Sequence, residues 1–405
     1  MVDLPQWISN TFQDSLRKYF KDEDVVIIQH TSAPAIPIGD NFTTDIFRTL
    51  ITYENRRKKD EEKHTISIIV KCCPDNEMLK NYEKQMRFFE QEISVYTEVL
   101  PAVKELLGED VVLSTKCISS IREPRSVIIL EDLSTEQFKV HPRQHGLDLE
   151  HCLLAIEKLA YFHAGTATIH EKNPPIIKRY DLGIFWDNPH TTRWLAVGFG
   201  ALAKACSSWP GFEKYSEKLD SLKTKAVEKT LRASRLDSQD FSVLNHGDFW
   251  ITNFMFNYTS DSKLKDCRIV DFQVVLHSSP AIDLSFFWAT SPNVEVKTKC
   301  LNIILNHYYK HLTTALNKAQ YPTEKMPTFQ QFEEDFNKRA FYGLTSSISV
   351  LPFVTASKRS DASIANLLND ESKEGFQYHA FNNERYRAYM EHLLPFYESL
   401  GVFDC

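Results

Sequence analysis

Hydrophobic and polar residues recur along this chain with two different periods. Residues 7–20 place Trp7, Ile8, Phe12, Leu16 and Phe20 at helical spacing, which predicts an amphipathic helix. After Pro34 and Pro37 the period shortens. Phe47–Tyr53 and Thr65–Lys71 are β-branched runs separated by a charged turn at 54–64, the pattern of a hairpin. A helix is expected from Leu79 to Leu100, with Met86, Phe89, Ile93 and Tyr96 on one side and Pro101 as its stop. Val111–Ser119 and Ser126–Leu130 are further strand candidates. With one more strand before Phe47, they make a five-stranded sheet carrying one long helix.

From Leu149 the helical period takes over. Leu149–His170 is apolar nearly all round and predicts a buried helix. Further long helices are expected at 211–232, 296–318, 328–347 and 380–399. The expected fold class is therefore α+β, with a small β-rich lobe at 1–133 and a large, mainly helical lobe at 134–405. A nucleotide held between two such lobes is a common phosphotransferase arrangement.

Composition narrows the classes. The 405 residues are 42% hydrophobic and 25% charged, an ordinary globular balance. The net charge of −7 is dispersed, which argues against a nucleic-acid groove. The dense basic run at 56–59 is followed at once by Asp60-Glu61-Glu62 and reads as a solvated turn. The eight cysteines contain no C-x-x-C pair, so a cysteine zinc site is not expected and a reducing compartment is. No secretory signal is expected at the amino terminus, nor a membrane span, since no apolar run approaches ~20 residues. A cytoplasmic location follows as an expectation, and no particular oligomeric state is indicated.

Two strings concentrate the chemistry, Leu244–Asn253 and Arg268–Gln273. Each is strand-like at its start and then presents polar groups at a turn. Asp248 precedes Asn253 by five residues, and Asp271 follows Asn253 by 18. Carboxylate, amide and carboxylate in this order resemble the protein-kinase catalytic loop followed by its metal-binding aspartate. A carboxylate on such a loop can take the proton of an acceptor hydroxyl. An amide oxygen and a second carboxylate suit Mg2+ held against nucleotide phosphates. Taken singly, Asp248 and Asn253 also suit turn or helix caps.

His246-Gly247-Asp248-Phe249-Trp250-Ile251-Thr252-Asn253 with Asp271-Phe272-Gln273 resembles the motifs of the aminoglycoside phosphotransferase and choline kinase superfamily. Within it, the chain is most similar to the ecdysteroid kinase-like (CHK kinase-like) family. Phe88–Tyr96, Leu130–Leu133, Leu159–Ala164 and Pro280–Leu284 extend the similarity over most of the chain. The resemblance implies a protein-kinase-like two-lobed fold and ATP-dependent transfer of a phosphoryl group to a small hydroxylated molecule, with Mg2+. It implies Asp248 as base and Asn253 and Asp271 as metal ligands. Lys71, at the end of an apolar strand, would meet the nucleotide phosphates. Glu92, 21 residues on, would hold that lysine, with Glu90 as the fallback. The phosphate loop would lie at Gly39, Asn41, Thr43 and Thr44, and Glu131 and Leu133 would border the adenine.

Asp283 is expected to brace the catalytic loop or to cap a helix. His246 and His163 are expected to be structural. Large aromatics past residue 135, with Phe249 and Trp250 beside the base, suggest a lipophilic alcohol such as an ecdysteroid or a hydroxylated xenobiotic. Alternatives are a kinase-fold binding protein without catalysis and a choline- or ethanolamine-type kinase. Protein-kinase activity is not expected, since no A-P-E segment is present.

Overall fold

A computed structural model describes residues 4–35, 44–56, 62–75 and 77–404, with only the backbone of 78, 79 and 82. Its residues group into two units. The first comprises 1–101 and 114–139, the second 102–113 and 140–405.

The first unit is built on five antiparallel strands: β1 (Val25–Pro34), β2 (Asp45–Asn55), β3 (His64–Cys72), β4 (Cys117–Ile121) and β5 (Val127–Glu131). Their spatial order is β1-β2-β3-β5-β4. β2 and β3 form the expected hairpin, with Phe47 opposite Val70 and Ile46 opposite Lys71. Residues 57–61 of the expected charged turn lie outside the described set. Because successive strand residues face opposite ways, Ile68, Val70 and Cys72 turn to one face of the sheet and Lys71 to the other. The first face is covered by Ile8, Phe12 and Leu16 from the amino-terminal segment, which forms helices Gln6–Ser9 and Phe12–Phe20 rather than one helix.

The helix expected to run from Leu79 to Leu100 is broken. Glu77–Met86 ends where Arg87 turns left-handed at φ 55°, and α1 (Phe88–Ser94) then begins. A π-helical turn, Val95–Val99, leads straight into Leu100–Leu107, so Pro101 is not the stop. The π turn changes the hydrogen-bond register at the junction, and a proline in the first turn of the next segment costs little. Val111–Leu113 is not a strand of this sheet. Leu113 instead accepts a hydrogen bond from Ile269 N–H in the second unit's own hairpin region.

The second unit is mainly helical. α2 (Leu149–Lys172) buries 14 of its residues, as its all-round apolarity requires, and Asp148 caps its start. Helix Pro189–Cys206 was not anticipated, although Asn188 caps it and Pro189 occupies its first turn. Three expected long helices are each interrupted. The 211–232 region forms Glu213–Leu222 and Ala226–Ser234, and 296–318 divides at Cys300. The 328–347 region divides at Arg339, whose buried guanidinium binds Asp335, Asp240 and the carbonyls of Ala233 and Arg235. The helices that matter below are α3 (Ala281–Thr290) and α4 (Leu301–Lys318). Short strands β6 (Val243–Asn245), β7 (Phe254–Tyr258), β8 (Leu264–Ile269) and β9 (Leu276–Ser278) carry the two chemical strings. Among the described residues no helix is long and apolar enough to cross a membrane.

Candidate active site

The loop between β6 and β7 carries Asp248 and Asn253, and the end of β8 carries Asp271. β7 and β8 pair antiparallel, with Phe254 opposite Ile269. The next bond along, from Val270 N–H to the Asn253 carbonyl at 3.0 Å, fixes Asn253 beside the residue before Asp271. Hairpin register thus closes the 18-residue gap in sequence. Asp271 itself has φ 72°, a left-handed backbone that few non-glycine residues adopt.

Asp248 is bound from within its own loop. Asn253 Nδ2 donates to the Asp248 carbonyl at 2.9 Å and to Asp248 Oδ2 at 3.0 Å. Trp250 Nε1 donates to the same Oδ2 at 3.1 Å. Both donors meet Oδ2, and Oδ1 receives neither. With its nitrogen committed, Asn253 keeps Oδ1 as its acceptor atom. Burial pushes the Asp248 carboxyl up to about 7, and the neighbouring Asp271 carboxylate adds to the effect. The Trp250 and Asn253 donors oppose both.

The loop's shape is imposed from beneath. Asp283, with no exposed surface, lies in the first turn of α3. Its carboxylate accepts the N–H groups of His246 and Gly247 at 2.6 and 2.9 Å. It braces the loop and does not cap its own helix. Gly247 has φ +80°, and an added Cβ would sit 2.0 Å from the Val274 carbonyl oxygen, so glycine is required there. The His246 ring reaches the Val270 carbonyl with Nε2 at 3.0 Å and accepts the Asp248 N–H at Nδ1 at 3.3 Å. That pairing puts the proton on Nε2, and burial keeps the ring neutral. His163 contacts Asp283 through Nε2 at 3.1 Å and Tyr308 Oη through Nδ1 at 2.7 Å. The Tyr308 contact was not foreseen, because nothing local to residue 308 in the sequence points to α2.

In the first unit, Lys71 Nζ lies 2.7 Å from Glu92 Oε2, with both side chains buried. Glu90 is exposed on another face of α1. Thr44 is buried just before β2, whereas Gly39, Asn41 and Thr43 lie outside the described residues. Glu131 has its N–H on the Lys116 carbonyl and its own carbonyl on the Thr115 hydroxyl, while its carboxylate meets Tyr19 and Lys116. Leu133 is buried at the start of a 3-10 turn, and its carbonyl accepts the Phe138 N–H. Asp132 between them accepts from Arg48, Ser67 and Ser134, each at 2.7 Å.

Phe249 was expected to touch substrate, but it has no exposed surface and packs against His246, Phe254 and Phe287. It is a core ring that anchors the loop. Trp250 is half-buried, as are Trp186, Trp194 and Phe353, whereas Phe185, Phe286, Phe287, Trp288, Phe341 and Tyr342 are core. Phe185 packs against both Trp194 and Tyr342, at 5.7 and 5.4 Å between ring centroids. The Trp194 Nε1 and Tyr342 Oη atoms are buried without hydrogen-bond partners.

The donor set fits a hard divalent cation. The Asp271 carboxylate and the Asn253 amide oxygen are the ligand types such an ion takes, and its charge would offset the Asp271 carboxylate that lies near Asp248. Gln273 Oε1, two residues on, is buried without a partner and is a further oxygen of the same kind.

A model of the ecdysteroid kinase-like family matches residues 38–321. No curated protein matches the chain. Among solved structures, a Plasmodium vivax ethanolamine kinase is 10% identical, covering 99% of this chain and 93% of its own, with a TM-score of 0.42. An aminoglycoside-3'-phosphotransferase of type VIII is 14% identical over 83% of this chain and 98% of its own, with a TM-score of 0.36. The amicoumacin kinase hAmiN, in complex with AMP-PNP, Ca2+ and Ami, is 11% identical over 95% and 97%, with a TM-score of 0.33.

Two predictions follow from the loop. Gly247→Ala must move the Val274 main chain, so a loss of more than about 2 kcal/mol is expected in urea unfolding. For Asp248, the folded protein retains between about pH 4 and about pH 7 a proton that the unfolded chain releases. Its contribution to stability therefore falls as pH rises through that window. In chelator, the melting temperature of Asp248→Asn should fall less than that of the parent between about pH 5 and about pH 8. Parallel melting curves would exclude the raised carboxyl.

The match spans more than two thirds of the sequence, and the chain belongs to the ecdysteroid kinase-like family.

Proposed function

We propose that the protein is an ATP-dependent kinase that phosphorylates a hydroxyl of a small lipophilic molecule, such as an ecdysteroid or a hydroxylated xenobiotic. The observation that carries this reading is the gathering of Asp248, Asn253 and Asp271 around one loop and one hairpin. In this reading the acceptor hydroxyl loses its proton to Asp248 as its oxygen bonds to the γ-phosphorus. The bond from that phosphorus to the β–γ bridging oxygen breaks, and ADP leaves. Asn253 and Asp271 hold Mg2+, which when bound supplies charge neutralisation for the phosphate oxygens. Lys71, fixed by Glu92, contacts the nucleotide phosphates.

Support for a lipophilic acceptor comes from the half-buried Trp186, Trp194, Trp250 and Phe353. The Trp194 indole N–H, unpartnered on a half-buried ring, is a donor available to a polar substituent, since buried polar groups seek partners. A binding protein without catalysis is less well supported, because the base and both metal-ligand candidates are present.

Asp248→Asn is expected to lower kcat by about 10²–10⁴-fold while leaving nucleotide binding largely intact, as read by steady-state turnover and calorimetry. Asp271→Ala should abolish the calorimetric signal of magnesium–ATP. Undiminished binding there would remove the metal role. Incubating steroid and phenolic alcohols with ATP, then reading phosphate addition by mass spectrometry, tests the acceptor class. Phosphorylation confined to charged amino alcohols would overturn the lipophilic assignment.

A further inference from the structure

α2 and α4 pack along one another in the second unit and bring together three side chains outside the site above. His307 and His311 lie one turn apart on α4 and so share a face. Glu157 meets them from α2. One ligand atom from each residue lies within 4.8 Å of the others, and His311 Nε2 is 3.9 Å from Glu157 Oε2. The two imidazole rings are 4.3 Å apart.

The surroundings orient these groups. His311 turns Nδ1 to the Tyr161 hydroxyl at 3.4 Å, which leaves Nε2 for Glu157. His307 has Nε2 buried with no partner, and the Leu153 carbonyl lies against its ring, which leaves Nδ1 for the carbonyl. Imidazoles that bind metals are commonly held in this way, with one nitrogen on an oxygen partner and the other lone pair exposed to the ion. Glu157 and His311 keep 29% and 20% of their side-chain surface, enough for an ion to enter.

We infer that Glu157, His307 and His311 form a binding site for a divalent transition-metal ion of the zinc type. Two imidazoles and one carboxylate are a borderline-soft donor set that favours zinc, copper or nickel over magnesium. Zinc bonds of about 2.0–2.2 Å place tetrahedral ligands roughly 3.5 Å apart, so small side-chain rotations close the set and leave a fourth position for water. The ion would staple α2 to α4. These are the helices that supply His163 and Tyr308 to the braced loop. The inference does not depend on the proposed kinase activity.

The test uses the full chain, stripped with chelator and kept in excess magnesium to occupy the proposed Asn253–Asp271 site. Zinc is titrated in competition with a chromophoric indicator. One zinc per chain is expected. Affinity should fall by about tenfold or more in the His307→Gln/His311→Gln double variant, while Asp271→Ala leaves it unchanged. Cobalt(II) at the same site should give a visible absorption band that is lost in the double variant. Should that variant fail to fold by circular dichroism, Glu157→Gln, which alters a partly exposed side chain, is expected to weaken zinc binding on its own. Equal zinc affinity in the parent and the folded histidine or glutamate variants would overturn the site. Absence of tight zinc binding in the parent would do so as well.

Discussion

The loop that carries Asp248 keeps its shape because of one carboxylate that solvent never reaches. Burying the Asp283 charge would be costly were it not satisfied by the N–H groups of His246 and Gly247 and by the His163 ring. Those bonds hold the chain where Gly247 passes beneath the Val274 carbonyl. His246 in turn donates its Nε2–H to the Val270 carbonyl, so the segment before Asp271 is tied to the same support. Loop, hairpin and α3 therefore share one bonded centre, and the position of Asp248 is a consequence of it.

The first unit treats charge in a comparable way. Lys71 and Glu92 are both buried, and their pairing compensates for the water each has lost. The alternation of β3 makes this possible by giving Val70 and Cys72 to the core under the amino-terminal helices and turning Lys71 to the opposite face. Asp132, with donors from Arg48 on β2, Ser67 on β3 and its own turn, ties the end of β5 to its neighbours.

Most of the strand pattern was legible in the sequence, because β-branched runs such as Thr65–Lys71 and Ser126–Leu130 have few other ways to pack. The proximity of Asn253 to the residue before Asp271 was legible from the two strings, and the 21-residue step from Lys71 to Glu92 identified a pair that is in contact. What local pattern could not convey was anything decided by distant atoms. The break at Arg339 depends on a guanidinium satisfied by groups 99 to 106 residues away. Pro101 signalled a helix end, but the π turn before it accommodates the missing donor. Phe249 looked accessible because it adjoins Asp248, yet the rings of Phe254 and Phe287 enclose it. The Asn188-Pro189 pair was a usable helix-start signal for Pro189–Cys206.

Trp250 and Asn253 both donate to Oδ2 of Asp248. The carboxylate is thus asymmetric before any ligand arrives, with one oxygen committed and the other carrying the available lone pairs. For a molecule bearing several alcohol groups, a choice among them would then be made by direction of approach. Under the kinase reading proposed above, a hydroxyl whose O–H vector points at Oδ1 would meet the uncommitted oxygen, and selection among alcohols would follow the rotation of that one side chain.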